Sequence, residues 1–360
     1  MTKIAPQPGI MEIDLYVGGQ SAIAGRTDVL KLSSNENPLG PPPAAVEAIT
    51  QAAQAAHLYP PTDHADLRAA ISQVHGLEAD RVICGVGSDE VLQFVCQAFT
   101  GPGDEVIHTA HGFSMYPILA HMAGATPVKV PERDRVVDID AILAAVTDRT
   151  RVVMLTNPGN PTGTILPVAE LTRLADGLPG HVILVLDCAY IEYAGGHDGG
   201  AALARSRDNV IMTRTFSKLY GLGGLRIGFG YGPKALIDVV TRIRQPFNLS
   251  GVQLAAAEAA LRDPDWANRC VALNAEQRAR LTAALRRLDI ACDESHTNFV
   301  LARFADETEA GRAHQALLDA GIIVRRVTGY GFPEGLRMTV GDAAQTGRLI
   351  AALEDWRKGG

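Results

Sequence analysis

The sequence predicts an α/β fold of two parts: a large domain with a mainly parallel central sheet flanked by helices, then a smaller α+β domain. Three observations carry this. Short apolar runs alternate with helix-like stretches from Val82 to Met212. Those runs are continuous and rich in β-branched residues, as strands covered on both faces must be. Beyond residue 255 the pattern changes to long Ala/Leu/Arg helices followed by short strands, which reads as a separate α+β unit.

Residues 1–30, with Pro6, Pro8 and Gly9 and then Tyr16-Val17-Gly18-Gly19, read as an arm. Leu30-Lys31-Leu32 opens a short extended piece that ends in a turn at Asn37-Pro38. Pro43 suits the first turn of a helix running toward Ala56, and Asp66 to His75 reads as another. Strands are expected at 81–84, 105–107, 126–130, 151–155, 182–186 and 210–212, separated by helices at 90–99, 115–123, 140–146 and 168–176. Helices at 254–261 and 266–288 then precede strands at 298–303, 322–325 and 336–340. The expected division is an arm 1–30, a large domain 31–254 and a small domain 255–360.

Composition narrows the function. The chain has 360 residues, 47% hydrophobic and 20% charged, enough for two folded domains and unlike a disordered chain. The net charge is -7 with no basic stripe, which argues against a nucleic-acid partner. No apolar stretch is long enough to span a bilayer, and the first residues lack the apolar segment of a signal peptide. The five cysteines form no CxxC pair. They predict reduced thiols in a cytoplasmic protein, with neither disulfides nor a metal site.

The chemistry gathers at the ends of the expected strands. Arg151–Leu155 runs into Asn157-Pro158-Gly159-Asn160-Pro161-Thr162-Gly163, and Val182–Leu186 into Asp187-Cys188-Ala189-Tyr190. Val210–Met212 runs into Thr215-Phe216-Ser217-Lys218, with Gly221, Gly223, Gly224 and Arg226 beyond. In one parallel sheet these ends converge on one edge, where ligands of such sheets bind. A lysine among hydroxyls, glycines and an arginine suits a Schiff base beside an anion site, the arrangement of pyridoxal phosphate chemistry. Asp187, ending an apolar strand, suits the pyridine nitrogen; Asn160 and Tyr190 suit the ring's 3-oxygen. Gly85-Val86-Gly87-Ser88-Asp89-Glu90 follows a strand and opens a helix, so its N–H groups suit a phosphate. Thr215, Ser217 and Arg226 add hydroxyls and a fixed charge, and Phe113 a flat neighbour for the ring. Each alone has an ordinary reading as a turn, helix cap or surface charge. Their joint order at strand ends does not.

Asn160-Pro161-Thr162-Gly163, Asp187-x-Ala189-Tyr190, Ser217-Lys218 and Arg226 resemble the class I/II, fold type I pyridoxal-phosphate aminotransferases. Further signs resemble the histidinol-phosphate aminotransferases: Asn35-Glu36-Asn37-Pro38, Tyr59-Pro60, Gly85-x-Gly87-Ser88-Asp89-Glu90, Phe113-x-Met115-Tyr116, Asn298-Phe299-Val300 and Leu336-Arg337-Met338-Thr339-Val340-Gly341. The resemblance spans roughly residues 10 to 345. It implies that Lys218 carries pyridoxal 5'-phosphate, with Ser88, Asp89, Thr215, Ser217 and Arg226 on the phosphate. Tyr59 would reach the phosphate of a second subunit, making a homodimer with shared sites. Arg325 and Arg337 would bind the acidic ends of substrates, with Tyr16 and Asn35 closing over them. The implied reaction moves an amino group from L-histidinol phosphate to 2-oxoglutarate. An aromatic amino-acid aminotransferase and a decarboxylase of a phosphorylated amino acid share these motifs. Cys188, where many relatives carry Glu, and His111-Gly112 depart from the pattern. Arg325 and Arg326 also have a plainer reading as a solvated pair at a strand end, and His111 has two readings, a substrate contact or simply a loop residue.

Overall fold

The computed structural model describes residues 4–15 and 18–359. Among them thirteen strands form three sheets. In chain order these are β1 (Leu30–Leu32), β2 (Val82–Gly85), β3 (Glu105–Thr109), β4 (Thr126–Val130), β5 (Glu132–Arg133), β6 (Val136–Val137), β7 (Thr150–Thr156), β8 (Ile183–Asp187), β9 (Val210–Thr215), β10 (Gly228–Tyr231), β11 (Phe299–Arg303), β12 (Ile322–Val327) and β13 (Phe332–Thr339). The large sheet has the order β2-β10-β9-β8-β7-β3-β4. β10 runs antiparallel to both its neighbours, and the other pairings are parallel.

The continuous apolar runs are explained by where alternate side chains go. Val153, Leu155, Leu184, Leu186, Val210 and Met212 enter the core on one face of the sheet. Val152, Met154, Ile183, Val185 and Ile211 enter the core on the other. A two-residue period with both faces covered requires apolar residues at every position. Each such burial contributes about 1.5–3 kcal/mol. The fold class expected from the sequence is therefore the one observed.

β10 was not expected, because Gly228-Phe229-Gly230-Tyr231 reads as glycine-broken. Packing explains the glycines. A Cβ at Gly228 would lie 2.2 Å from the Ser88 amide nitrogen, and one at Gly230 2.6 Å from Val91 Cγ1. Both glycines let the helix Gly87–Phe99 settle onto the sheet, which fixes the height of its N-terminus over the strand ends.

The second sheet has the order β1-β12-β13-β11. Leu30 and Leu32 join its core with Val300, Ala302, Ile322, Val324, Leu336 and Met338. The helices Glu307–Asp319 and Ala343–Gly359 cover it through Ala310, Leu317, Leu349 and Leu353. Both sequence-based boundaries fall inside regular elements: 30/31 within β1, and 254/255 within the helix Gly251–Leu261. That helix packs Ala256, Ala257, Ala260 and Leu261 into the large core. The helix Pro264–Arg287 then links the two, with Cys270 in the large core and Leu281 and Leu285 in the small one. The compositional change near 255 marks the start of long helices rather than a change of core.

Candidate active site

The carboxyl ends of β7, β8 and β9 are in register, Thr156 opposite Asp187 and Asp187 opposite Thr213. They open into a cleft lined by Ser88, Asp89, Phe113, Asn160, Asp187, Tyr190, Thr215, Ser217, Lys218 and Arg226, together with Asn35, Arg325 and Arg337. Thus the cleft gathers thirteen of the expected site residues from sequence positions 35 to 337. Tyr59 lies elsewhere: it is 82% exposed, its ring 4.6 Å from that of Phe247. Tyr16 is outside the described residues.

Asp187 forms the floor. Its side chain is buried, with Oδ2 accepting from Tyr116 Oη at 3.0 Å and Oδ1 from Thr213 Oγ1 at 3.1 Å. Burial, and then the charge of Asp89, pushes its carboxyl up to about 6. Tyr116 is itself fully buried, its hydroxyl 2.6 Å from Thr156 Oγ1. Phe113 meets the Tyr116 ring edge-on at 5.8 Å.

Lys218 follows β9. Its Nζ donates to Ser34 O at 3.2 Å and lies 5.8 Å from the centre of the Tyr190 ring. Burial, and then the Arg337 guanidinium, lowers this amine to about 8. A sizeable neutral fraction is therefore available near neutral pH, as a nucleophile or proton acceptor requires. Tyr190 is buried, which pushes its phenol up to about 12, and its Oη accepts from Asn35 Nδ2 at 2.9 Å. Asn35 is held at a left-handed φ of 57°. Its N–H donates to Thr339 Oγ1 at 3.0 Å and its carbonyl accepts from Asn298 Nδ2 at 2.9 Å. The small domain thereby sets the position of a residue that touches Tyr190.

At the other end lies an anion cradle. Gly87, with φ 77°, turns the chain into the helix Gly87–Phe99, whose first N–H groups have no side-chain cap. Arg226 Nη1 donates to Ser217 Oγ at 2.9 Å and Nη2 to Asp89 Oδ2 at 3.0 Å. Ser217 N–H donates to Thr215 Oγ1 at 3.1 Å. The Arg226–Asp89 pair is about 40% exposed on each side, so it contributes little to stability. It does hold the guanidinium over the helix start, where positive potential accumulates.

Arg337 is 7% exposed and donates to Asn160 Oδ1 at 2.7 Å and to Ser33 O at 2.9 Å. Its guanidinium stands 5.2 Å from the Phe299 ring centre. Arg325 is the register partner of Arg337 across β12 and β13, and both line the cleft. Arg326 points away and pairs with Glu307 at 3.3 Å. His111 is also outside the cleft lining: Nδ1 donates to Tyr330 O at 2.6 Å and the ring stacks on Phe332 at 4.1 Å. These contacts anchor the loop that carries it. The sequence reading missed Ser33, Ser34 and Tyr330, which line the cleft, and Tyr116 and Thr213, which hold Asp187. Tyr330 had a signal, an aromatic residue between two glycines.

A parallel sheet presenting a lysine, a buried carboxylate and an arginine-bearing anion cradle at one edge defines a class of group-transfer enzymes. The chain matches the aminotransferase class I and II family over residues 27–353, and it belongs to that family. It is 66% identical over 358 residues to the histidinol-phosphate aminotransferase of Ruegeria pomeroyi, covering 99% of each chain. It is 60% identical over 350 residues to that of a Jannaschia species, covering 97% of each. Among solved structures, histidinol-phosphate aminotransferase from Sinorhizobium meliloti in complex with pyridoxal-5'-phosphate superposes with a TM-score of 0.91 at 29% identity, over 100% of this chain and 98% of that one.

Proposed function

We propose that this aminotransferase uses pyridoxal phosphate to move the amino group of L-histidinol phosphate to 2-oxoglutarate, giving imidazole-acetol phosphate and L-glutamate in histidine biosynthesis. The names of its close relatives support the substrate. The observation that carries the cofactor is Asp187. It is a fully buried carboxylate whose side-chain partners are neutral hydroxyls, and its carboxyl is pushed up to about 6 by that burial. Such a group calls for a cation, which a protonated pyridine nitrogen supplies. The cradle fits a phosphate, since a Cβ at Gly87 would lie 2.5 Å from Arg226 Nη2 and close it.

In this reading Lys218 holds the cofactor covalently, Asn160 and Tyr190 orient its 3-oxygen, and Phe113 covers the ring. Ser88, Asp89, Thr215, Ser217 and Arg226 hold its phosphate. When bound, the cofactor supplies an electron-withdrawing ring that stabilises negative charge at the substrate Cα. Released when the substrate amine takes its place, Lys218 would take the Cα proton and pass it to the cofactor's aldehyde-derived carbon, a task suited to an amine lowered to about 8. Arg325 and Arg337 bind the phosphate monoester of one substrate and the carboxylate of the other, because planar guanidinium forks match both.

The exposed apolar residues Leu58, Tyr59 and Phe247 support a second copy covering this face, with Tyr59 reaching the neighbouring phosphate. Five free cysteines support a cytoplasmic setting. No helix among the described residues is long and apolar enough to cross a membrane. The test is glutamate formation from 2-oxoglutarate with L-histidinol phosphate or L-phenylalanine as donor. Higher kcat/KM for histidinol phosphate is expected. Preference for phenylalanine would make this an aromatic aminotransferase, and release of CO2 a decarboxylase.

A further inference from the structure

The turn between β2 and the helix Gly87–Phe99 must offer N–H groups to an anion, yet an acidic side chain sits directly beside it. Glu90 Oε2 accepts from Val86 N–H at 2.8 Å and from Asn248 Nδ2 at 2.7 Å. The carboxylate is packed close on the turn, since a Cβ at Gly85 would lie 3.2 Å from Oε2. Asn248 Nδ2 also donates to Cys84 O at 3.3 Å, so this amide spans the end of β2 and the first helical turn. Asn248 Oδ1 accepts from Arg244 Nη1 at 2.8 Å, and Arg244 Nη2 donates to Thr62 O at 2.5 Å.

A carboxylate near a phosphate repels it unless its position does something else. Here it binds the amide of the residue just before the helix. Val86 is thereby fixed at φ -71° and ψ 78°, and Gly87 at φ 77° swings the following amides the other way. The first N–H groups of a helix have no intrahelical acceptor. With Val86 N–H held by Glu90 and no side chain capping the helix, the amides of Gly87, Ser88 and Asp89 are left for an external anion.

The geometry points to Glu90 as a positioning residue of the anion cradle, oriented by Asn248 and Arg244 and serving the cofactor's phosphate. This rests on the reading of the cleft as a pyridoxal-phosphate site. It acts through the backbone and touches no reacting atom.

The test is to strip the full-length protein of cofactor and titrate it with pyridoxal phosphate and, separately, with pyridoxal, which lacks the phosphate. Glu90→Ala is expected to weaken pyridoxal phosphate about tenfold, the size of one lost hydrogen bond, and to leave pyridoxal unchanged. Glu90→Gln is expected to restore affinity, because its amide oxygen accepts the same two bonds. Asn248→Ala is expected to lie between, and it carries the comparison if Glu90→Ala does not fold. Equal loss for both aldehydes, or no loss for either, overturns the assignment. Failure of the unaltered protein to bind either aldehyde overturns the reading of the cleft itself.

Discussion

Tyr116 donates its hydroxyl to Asp187 at 3.0 Å inside the protein, tying the helix that follows Phe113 to the end of β8. Tyr116 is fully buried, and its phenol is pushed well above its ordinary range by that burial. It therefore remains a donor throughout the working pH range. Tyr116→Phe removes one charge-assisted bond and is expected to destabilise the protein by about 1–3 kcal/mol. Urea denaturation checks this, and an unchanged midpoint would show that Thr213 alone suffices.

In the cofactor-free protein Asp187 makes stability depend on pH. Its carboxyl binds a proton more tightly folded, at about 6, than unfolded, at 3.8. Its contribution is complete below the unfolded value and is lost as pH rises through about 6. The loss between pH 4 and 7 is expected to be about 2 kcal/mol. Denaturation of Asp187→Asn across the same range should be flat in this term. An equally steep profile in that variant would assign the effect to another group.

For turnover, Asp187→Ala is expected to slow proton abstraction about a hundredfold or more while cofactor attachment survives. Steady-state kinetics with L-histidinol phosphate measure it. Unchanged kcat would mean that Asp187 is only structural.

Arg337→Lys keeps the charge and loses the fork that reaches both Asn160 and Ser33. A loss of about ten- to a hundredfold in kcat/KM is expected for both substrates. An effect confined to one half-reaction would show that the two acidic ends bind at different arginines.

Much of this site was legible because its residue types are out of place where they stand. A lysine after an apolar strand and an aspartate ending one advertise themselves. Tyr116 and Thr213 do not, since a tyrosine in a helix and a threonine in a strand read as packing. Asn248 was invisible because its partner Glu90 is 158 residues away. β1 joins the second sheet for the same reason, Leu30 pairing with Ile322. The resemblance set Arg325 apart from Arg326, and register supplies the physical reason by placing Arg325 opposite Arg337.

The most direct measurement is borohydride trapping of the purified protein, followed by peptide mapping, with and without L-histidinol phosphate. The account expects a pyridoxyl label on Lys218 that disappears when the donor is added. A label on another lysine, or one that L-histidinol phosphate leaves in place, would contradict it.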